Sequence, residues 1–175
     1  MKKSFLILAL VATALPALAD LGDTYAISVH RYGGRGNVIN GDWIGWLVTS
    51  SNGSRTRIQE QFRNNQAVAI RYFTDWNSTF YDSAVWAQLQ ANSRRGENWT
   101  EYSVDGSDGA APGRYFHTDD DKIYGRLRNM KAEDGRTYQF MEVAYKSWIE
   151  RHGGFADDAP AKPPVEESTE PKTDI

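Results

Sequence analysis

The chain has 175 residues, with 20 basic and 23 acidic side chains, a formal net charge of −3 and no cysteine. The absence of cysteine excludes disulfide bonds, a thiol nucleophile and a lipid anchor attached through a cysteine. The weakly acidic balance lacks the basic surface that nucleic-acid binding requires, so we expect no nucleic-acid partner.

Residues 1–19 have the pattern of a cleavable secretory signal peptide. Lys2 and Lys3 precede an apolar run over residues 5–18, and Ala17-Leu18-Ala19 provides a small-x-small cleavage site. The run is 14 residues long, whereas a membrane-spanning helix needs roughly 20. We therefore expect cleavage after Ala19, no membrane anchor afterwards, and a periplasmic or secreted location in a bacterium.

Residues 20–155 are predicted to form one β-rich globular domain, whose length suits a single core. They contain 21 aromatic residues, and aromatic side chains favour strands. The first predicted strand covers residues 25–32. The glycine-rich run over residues 33–37 is expected to end it, because glycine adopts turn conformations at little cost.

Tight turns connect the next three predicted strands, which cover residues 43–49, 55–62 and 67–73. Asn52-Gly53 is the dipeptide that type I′ hairpin turns prefer, and Asn64-Asn65 provides a second turn. Consecutive strands joined by tight turns predict an antiparallel meander.

The hydrophobic period then changes to that of a helix. Ser83 is predicted to cap a helix over residues 84–93, which Gly96 would end. Its buried stripe would consist of Val85, Trp86 and Leu89. Residues 99–104 return to strand character, and residues 105–113 are predicted as a loop.

The segment 118–152 is compatible with two arrangements. One is a hairpin, with strands over residues 122–130 and 137–145. The other is a pair of helices, the first capped by Thr118 and followed by acidic residues at its positive end. We predict a combination of the two, with a strand over residues 122–130 and a helix over residues 141–152.

Residues 156–175 are predicted to be a disordered acidic tail. They hold six acidic and two basic residues and four of the six prolines, with few apolar side chains to offset the entropy cost of ordering. The tail is interpreted as a solubilising spacer or as a docking segment for a basic partner.

The predicted fold class is α+β and β-rich. It is expected to be an antiparallel meander, a small barrel or a curved sheet, with one or two short helices.

Aromatic and arginine side chains are the strongest functional signal. Trp43 and Trp46 stand three apart on a predicted strand, so they face opposite sides and one should reach solvent, another layer or a ligand. Aromatic rings stack on sugars or peptides, and guanidinium groups suit carboxylate, phosphate or sulfate. The predicted ligand-binding residues are Trp43, Trp46, Trp76, Tyr81, Trp99, Arg31 and Arg35.

His117, Asp119 and Asp121 are weak candidates for a divalent metal site. They alternate in the sequence, so an extended chain would project all three from one face. The competing interpretation places the acidic residues at a helix N-terminus. No other cofactor is predicted, because the phosphate-binding glycine motifs are absent.

The leading functional hypothesis is an exported, non-catalytic binding module that recognises a small ligand, a glycan or an envelope protein through aromatic and arginine side chains. No catalytic residue is assigned, since the Gly-x-Ser-x-Gly motif is absent. One alternative is a cell-envelope hydrolase that uses acidic residues, with or without a metal. The other is a structural or assembly protein of the envelope. Ligand identity and oligomeric state stay open.

Overall fold

The computed structural model describes residues 19–40, 42–49, 53, 55–93, 97–104 and 112–155. Its strands are β1 (Asn37–Val38), β2 (Trp43–Thr49), β3 (Arg55–Arg63), β4 (Gln66–Phe73), β5 (Trp99–Val104), β6 (Gly113–Thr118), β7 (Ile123–Lys131) and β8 (Thr137–Tyr145). Its helices are α1 (Tyr25–Tyr32), α2 (Asp82–Ala91) and α3 (Lys146–Arg151). The predicted signal peptide, apart from Ala19, and the predicted acidic tail lie outside the described residues.

All eight described strands form one open antiparallel sheet in the order β1-β2-β3-β4-β8-β7-β6-β5. Strands β1 to β4 form one meander and β5 to β8 form a second, and β4 pairs with β8 where the two meet. Helix α2 connects the two meanders along the chain. The predicted β-rich α+β class and antiparallel meander are therefore confirmed, with a sheet that does not close into a barrel and with three short helices.

The turn predicted at Asn64-Asn65 is confirmed. Asn64 and Asn65 join β3 to β4 with φ angles of 49° and 61°, the positive values that a type I′ hairpin needs at both central residues. Gly53 lies between β2 and β3 with φ 82°, while Asn52 lies outside the described residues. Thr49 pairs with Arg55, so five residues connect β2 to β3 instead of the two of a type I′ turn. The register between β3 and β4 shifts between Gln61 and Phe62.

The predicted strand over residues 25–32 is wrong, because this segment is helix α1. Thr24 is its N-cap, and Gly33 ends it in the left-handed conformation with its backbone N–H bonded to the Val29 carbonyl. Ser28 and Tyr32, four residues apart, both reach Glu60 on β3. In a helix, residues 25, 28, 29 and 32 lie on one face, and this is the face that packs toward the sheet. In a strand, alternation would put residues 28 and 29 on opposite sides.

The predicted helix over residues 141–152 is wrong in its first part. Strand β8 continues to Tyr145, and α3 begins only at Lys146. Since β8 lies between β4 and β7, its backbone is hydrogen-bonded on both sides and its residues 140–144 are buried. This central placement outweighs the local helical spacing. The predicted strand over residues 122–130 is confirmed as β7.

Thr118 caps no helix, contrary to the two-helix arrangement. It ends β6, where its hydroxyl donates to Asp120 Oδ1 at 2.8 Å and accepts from the Ile123 backbone N–H at 3.2 Å. The acidic residues 119–121 therefore form a tight turn into β7, in which Asp121 has φ 57°. Side-chain bonding of this kind competes with a helix start.

Helix α2 is confirmed with different ends. Val85 and Leu89 are fully buried as predicted, and the half-buried Trp86 packs edge-on against Phe116. Ser83 is not its cap, because Tyr81 occupies that position without a side-chain hydrogen bond. The helix ends at Ala91, and Gly96 lies outside the described residues.

The sheet has two chemically different faces. The core face packs against α1 and α2 and holds most of the buried apolar side chains, including Ile58, Ile70, Tyr72, Phe116, Met141 and Val143. The opposite face carries Arg71, Arg126 and Glu142, and we call it the arginine face. On it, Trp148 of α3 packs over the small residues Ala69 and Ala144. No helix among the described residues is long and apolar enough to cross a membrane.

Candidate binding site

The strand register aligns one row of polar side chains across the arginine face. Successive antiparallel pairs join Tyr102 to Tyr115, Tyr115 to Arg126, Arg126 to Glu142, Glu142 to Arg71 and Arg71 to Gln59. Directly opposed residues in an antiparallel pair project from the same face. Six strands therefore contribute neighbouring polar or aromatic side chains to one line, and the line ends at the edge strand β5.

The centre of this line is a buried ion cluster. The Nε atom of Arg71 lies 2.7 Å from Glu142 Oε1, and the Nη2 atom of Arg126 lies 3.0 Å from Glu142 Oε2. The side chains of Arg71, Arg126 and Glu142 are 10%, 3% and 0% exposed. Burial lowers the pKa of Arg126, because desolvation disfavours its charged form. We call these three residues the arginine–glutamate cluster.

Aromatic rings cover the two guanidinium groups. The Arg71 guanidinium lies 3.9 Å from the ring centre of Trp43. The Arg126 guanidinium lies 4.9 Å from the ring centre of Phe155 and 5.4 Å from that of Phe140. Cation–π contacts of this kind are strengthened by exclusion of water. The arginine–glutamate cluster is therefore buried and covered by aromatic rings beside the outer part of the line.

The outer part of the line is a group of four rings, Tyr102, Tyr115, His117 and Tyr124, which we call the tyrosine–histidine cluster. Tyr102 and Tyr115 stack with ring centres 5.6 Å apart and an interplanar angle of 23°. His117 lies 6.1 Å from Tyr102 and 5.9 Å from Tyr124. Tyr102 is 42% exposed, and its three partners are partly buried. The cluster thus passes from the covered interior of the face to an exposed ring at the sheet edge.

Charged side chains border the tyrosine–histidine cluster. Asp121 accepts hydrogen bonds from Lys146 Nζ and from the Tyr124 hydroxyl, and these bonds lower the pKa of its carboxyl group. Lys122 and Thr118 donate to Asp120 and lower the pKa of that carboxyl to about 2. Both acids are therefore ionised across the physiological pH range. They offer hydrogen-bond acceptors next to the rings.

On the other side of β5 and β6, Arg114 joins two elements. It binds Glu101 through Nε at 2.6 Å and Nη2 at 3.0 Å, and Asp82 through Nη1 at 2.6 Å. These hydrogen bonds raise the pKa of the guanidinium group. The bidentate geometry holds β5 against β6 and ties both to the start of α2.

A second buried polar group lies on the core face. Glu60 is fully buried and accepts hydrogen bonds from Ser28 Oγ at 2.6 Å and the Tyr32 hydroxyl at 2.8 Å. Desolvation raises the pKa of Glu60, although the two hydrogen bonds oppose the shift. The group links α1 to β3, and its full burial separates the carboxyl from solvent.

Trp43 and Trp76 are the two predicted ligand-binding tryptophans on the arginine face, and both are half-buried. Trp43 stacks on Arg71 and meets Trp148 edge-on at 6.1 Å. Trp76 lies 3.9 Å from the Arg136 guanidinium and 5.5 Å from that of Arg57. Each of the two indoles contacts an arginine, but the two contacts lie apart. Trp43 lies near α3, whereas Trp76 follows the C-terminal end of β4.

Trp46 and Trp99 lie on the core face and are only 7% and 9% exposed. Trp46 donates from Nε1 to the Gly34 carbonyl at 2.8 Å, so Trp43 and Trp46 do face opposite sides, as their spacing predicts. The Trp99 indole N–H has no hydrogen-bond partner among the described residues. These two indoles pack in the core instead of joining the other tryptophans.

The remaining predicted ligand-binding residues are dispersed. Tyr81 is 82% exposed before α2. Arg31 forms ion pairs with Asp20 and Asp23. Arg35 is exposed beyond α1, where its carbonyl accepts from the Tyr25 hydroxyl at 2.7 Å.

The candidate metal residues do not converge. His117 projects into the tyrosine–histidine cluster, Asp119 accepts from the Asn98 side chain at 3.2 Å, and Asp121 pairs with Lys146. The positive φ of Asp121 ends the alternation on which the prediction rested. Across the described ranges, no group of three or more histidine, cysteine, aspartate or glutamate side chains is arranged to hold a metal ion.

Sequence reasoning missed the whole line across the arginine face and one further ring of the tyrosine–histidine cluster. The missed residues are Tyr102, Tyr115, Arg126, Glu142, Arg71 and Gln59 of the line, and Tyr124 of the cluster. Their signal is alternation, since Tyr124 and Arg126 are two apart on β7 as Tyr115 and His117 are on β6. Alternation identifies the residues of one face within a strand, but strand order is needed to place them side by side.

No family model, curated protein or solved structure matches this chain.

Proposed function

We propose that this protein is an exported binding module whose ligand contacts the tyrosine–histidine cluster. The proposal rests on the exposed ring of Tyr102. This ring ends a line of side chains whose other members are held in place by strand pairing and ion pairs. Binding sites gain affinity when a rigid scaffold holds their contact groups in place. Small ligands, glycans and envelope proteins all offer groups that pack on such a ring.

The chemistry of the cluster supports recognition of a group with an apolar face and polar edges. The outer face of Tyr102 continues the stack begun by Tyr115, so a sugar ring, a planar group or an apolar side chain fits there. Asp121 and Lys146 supply acceptors and donors beside Tyr124. Arg126 and Phe155 support Tyr115 from the interior side.

Export is the second component of the proposal, and it rests on the signal-peptide pattern of residues 1–19. Because the chain has no cysteine, its folding needs no disulfide, so the absence of cysteine is compatible with export. An envelope ligand or envelope protein is then the class of partner within reach.

The test is a titration of the isotopically labelled full-length protein, followed by amide chemical shifts. The probes are neutral oligosaccharides and short aromatic, cationic and anionic peptides, each at millimolar concentration. We expect shifts confined to β5, β6 and the start of β7 for at least one probe.

Tyr102→Ala should weaken that binding by about two- to tenfold, since contact with one aromatic ring contributes roughly 0.5–1.5 kcal/mol beyond the area that it buries. Tyr81→Ala is the matched control, because Tyr81 is an exposed tyrosine outside the cluster. Equal losses in the two variants, or no localised shift with any probe, contradict the proposed site.

A further inference from the structure

We infer that β5 binds an extended cationic segment of a partner protein as an added strand. This inference rests on the proposed function, because Tyr102 belongs to both the edge strand and the tyrosine–histidine cluster. It names the class of partner: a polypeptide in β conformation with lysine or arginine side chains. Peptide addition to a sheet edge is a common mode of recognition, in which main-chain hydrogen bonds give affinity and side-chain contacts give specificity.

The first observation is the direction of the β5 backbone groups. Within the described residues β5 pairs only with β6 and ends the sheet. The Asp119 N–H donates to the Asn98 carbonyl at 3.1 Å, so Asn98 directs its main-chain groups toward β6. Since this direction alternates along an antiparallel strand, Glu101 and Ser103 direct their N–H and C=O groups away from β6.

The second observation is that β5 lacks the features that usually block an edge. Its sequence, WTEYSV, contains neither proline nor lysine, and its register with β6 runs from Trp99↔Thr118 to Val104↔Gly113 without a bulge. Its one charged side chain, Glu101, is held by the bidentate bond from Arg114. Natural sheets protect edges with charges, prolines or bulges when no partner is to be bound.

The third observation is charge, and it selects the occupant. Residues 94–122 carry seven carboxylates and four basic side chains, a net formal charge of −3. Three of these carboxylates, on Glu101, Asp120 and Asp121, are paired with Arg114, Lys122 and Lys146. Asp82, which shares Arg114 with Glu101, is also strongly exposed beside this hairpin. A second copy of the chain would bring the same negative hairpin against itself, and like charges across an interface disfavour association. A cationic strand is complementary and gains from electrostatic attraction.

The ring of Tyr102 adds a specificity contact. A residue directly opposite Tyr102 on an added strand lies within about 4.5–5.5 Å of it at Cβ, the usual spacing for cross-strand pairs. An aromatic or aliphatic side chain at that position would extend the stack of Tyr115 and Tyr102. The expected partner segment therefore alternates basic residues with apolar ones.

The experiment measures binding of two blocked hexapeptides to the full-length protein by calorimetry. One alternates lysine with threonine, tyrosine and valine, and the other has glutamate in place of each lysine. The lysine peptide should bind and the glutamate peptide should bind at least about tenfold more weakly, given the net negative hairpin. A third peptide, the lysine form with N-methyl groups on the amides that would face β5, should lose binding.

Ser103→Pro tests the edge from the side of the protein. It removes an outward N–H without removing a β5–β6 hydrogen bond, and proline is tolerated in edge strands at such positions. We expect at least about tenfold weaker binding, which corresponds to one or two hydrogen bonds. Ser103→Ala is the matched control, since it keeps the N–H, and it should bind within about twofold of the parent. The N-methyl peptide supplies the same test if Ser103→Pro fails to fold.

The outcomes separate this inference from the proposed function. If Tyr102→Ala weakens binding of a probe while Ser103→Pro and N-methylation do not, the ring recognises ligand without strand addition and the inference is overturned. It is also overturned if the glutamate peptide binds as well as the lysine peptide. Concentration-dependent dimerisation that Ser103→Pro abolishes would assign the edge to a second copy instead.

Discussion

Arg71 and Glu142 lie opposite each other on β4 and β8, with Nε of the arginine 2.7 Å from Oε1 of the glutamate. These two strands join the meander of β1 to β4 to that of β5 to β8. The ion pair therefore bridges two halves that are far apart in the sequence. Arg126 adds a second guanidinium to the same carboxylate from β7.

Glu142→Gln is expected to lower the free energy of unfolding by about 3–5 kcal/mol, because it leaves two buried guanidinium groups without their carboxylate. Urea unfolding followed by circular dichroism measures the change. Asp134→Asn is the control at the half-exposed Asp134–Arg136 pair, where about 1 kcal/mol or less is expected. Similar losses in the two variants would show that the cluster on the arginine face is not structurally important.

Glu60 makes stability depend on pH. Burial raises its folded-state pKa. Its contribution to the free energy of unfolding is therefore fully present below the unfolded pKa of about 4.3, and it is lost as the pH rises through the folded-state pKa. Glu60→Gln removes this titration while keeping a hydrogen-bonding side chain near Ser28 and Tyr32. The stability of the variant relative to the parent should therefore increase as the pH rises from about 4 through the neutral range.

Unfolding free energies at several pH values within that range test the expectation. Arg31 and Asp23 also act on the Glu60 carboxyl, and their contributions are present in both proteins, so the comparison isolates Glu60. A difference between variant and parent that is constant with pH would mean that the carboxyl titrates alike in the folded and unfolded chain.

Gly36→Ala is expected to be more destabilising than Gly33→Ala. Both glycines have positive φ, 70° and 77°, which costs an alanine roughly 1–2 kcal/mol. A Cβ at Gly36 would lie 2.6 Å from the Trp46 ring, whereas nothing lies within 4 Å of one at Gly33. Overpacking adds about 1–3 kcal/mol.

Thermal and urea unfolding of the two alanine variants measure that difference. Matching losses would show that the Trp46 ring moves aside without cost. The indole hydrogen bond to the Gly34 carbonyl argues against such movement, since it fixes the ring beside the turn.

Export predicts a defined N-terminus. Protein recovered from the envelope or the medium of an expressing bacterium should begin at Asp20 by mass spectrometry, because Ala17-Leu18-Ala19 is the predicted cleavage site. Ala17→Glu, which places a large charged residue where a small one is required, should accumulate uncleaved chain. Intact chain beginning at Met1 in the cytosol, with none exported, would contradict the location and the class of partner.

Local signals were sufficient for β2, β3 and β4 and insufficient for β1, for α1 and for the end of β8. A type I′ turn requires positive φ at both central positions and asparagine tolerates it, so Asn64-Asn65 predicts a hairpin from residue chemistry alone. Residues 25–32 fit strand alternation by composition, yet the Thr24 cap and burial on Glu60 decide for a helix. Residues 141–145 show helical spacing, yet pairing with β4 and β7 keeps them in a strand.

The sequence likewise predicted only part of the arrangement of the candidate site. Composition led to the prediction that aromatic and arginine side chains bind a ligand, and this stays a prediction. Trp43 lies against Arg71 and Trp76 against Arg136, although neither arginine was among the predicted residues. Composition did not distinguish them from Trp46 and Trp99, which fill the core. An indole suits a buried position and a half-exposed one equally, so its type alone does not assign its place.

The amino-acid sequence by itself determined the elements whose causes lie within a few residues: the Asn64-Asn65 turn, helix α2 and the β-rich class. Only the tertiary structure decided which strands are neighbours, and so which side chains meet. Tyr102, Tyr115, Arg126, Glu142 and Arg71 form one line because β5, β6, β7, β8 and β4 pair in that order. Strand order is set by long-range burial and hydrogen bonding, which no local pattern encodes.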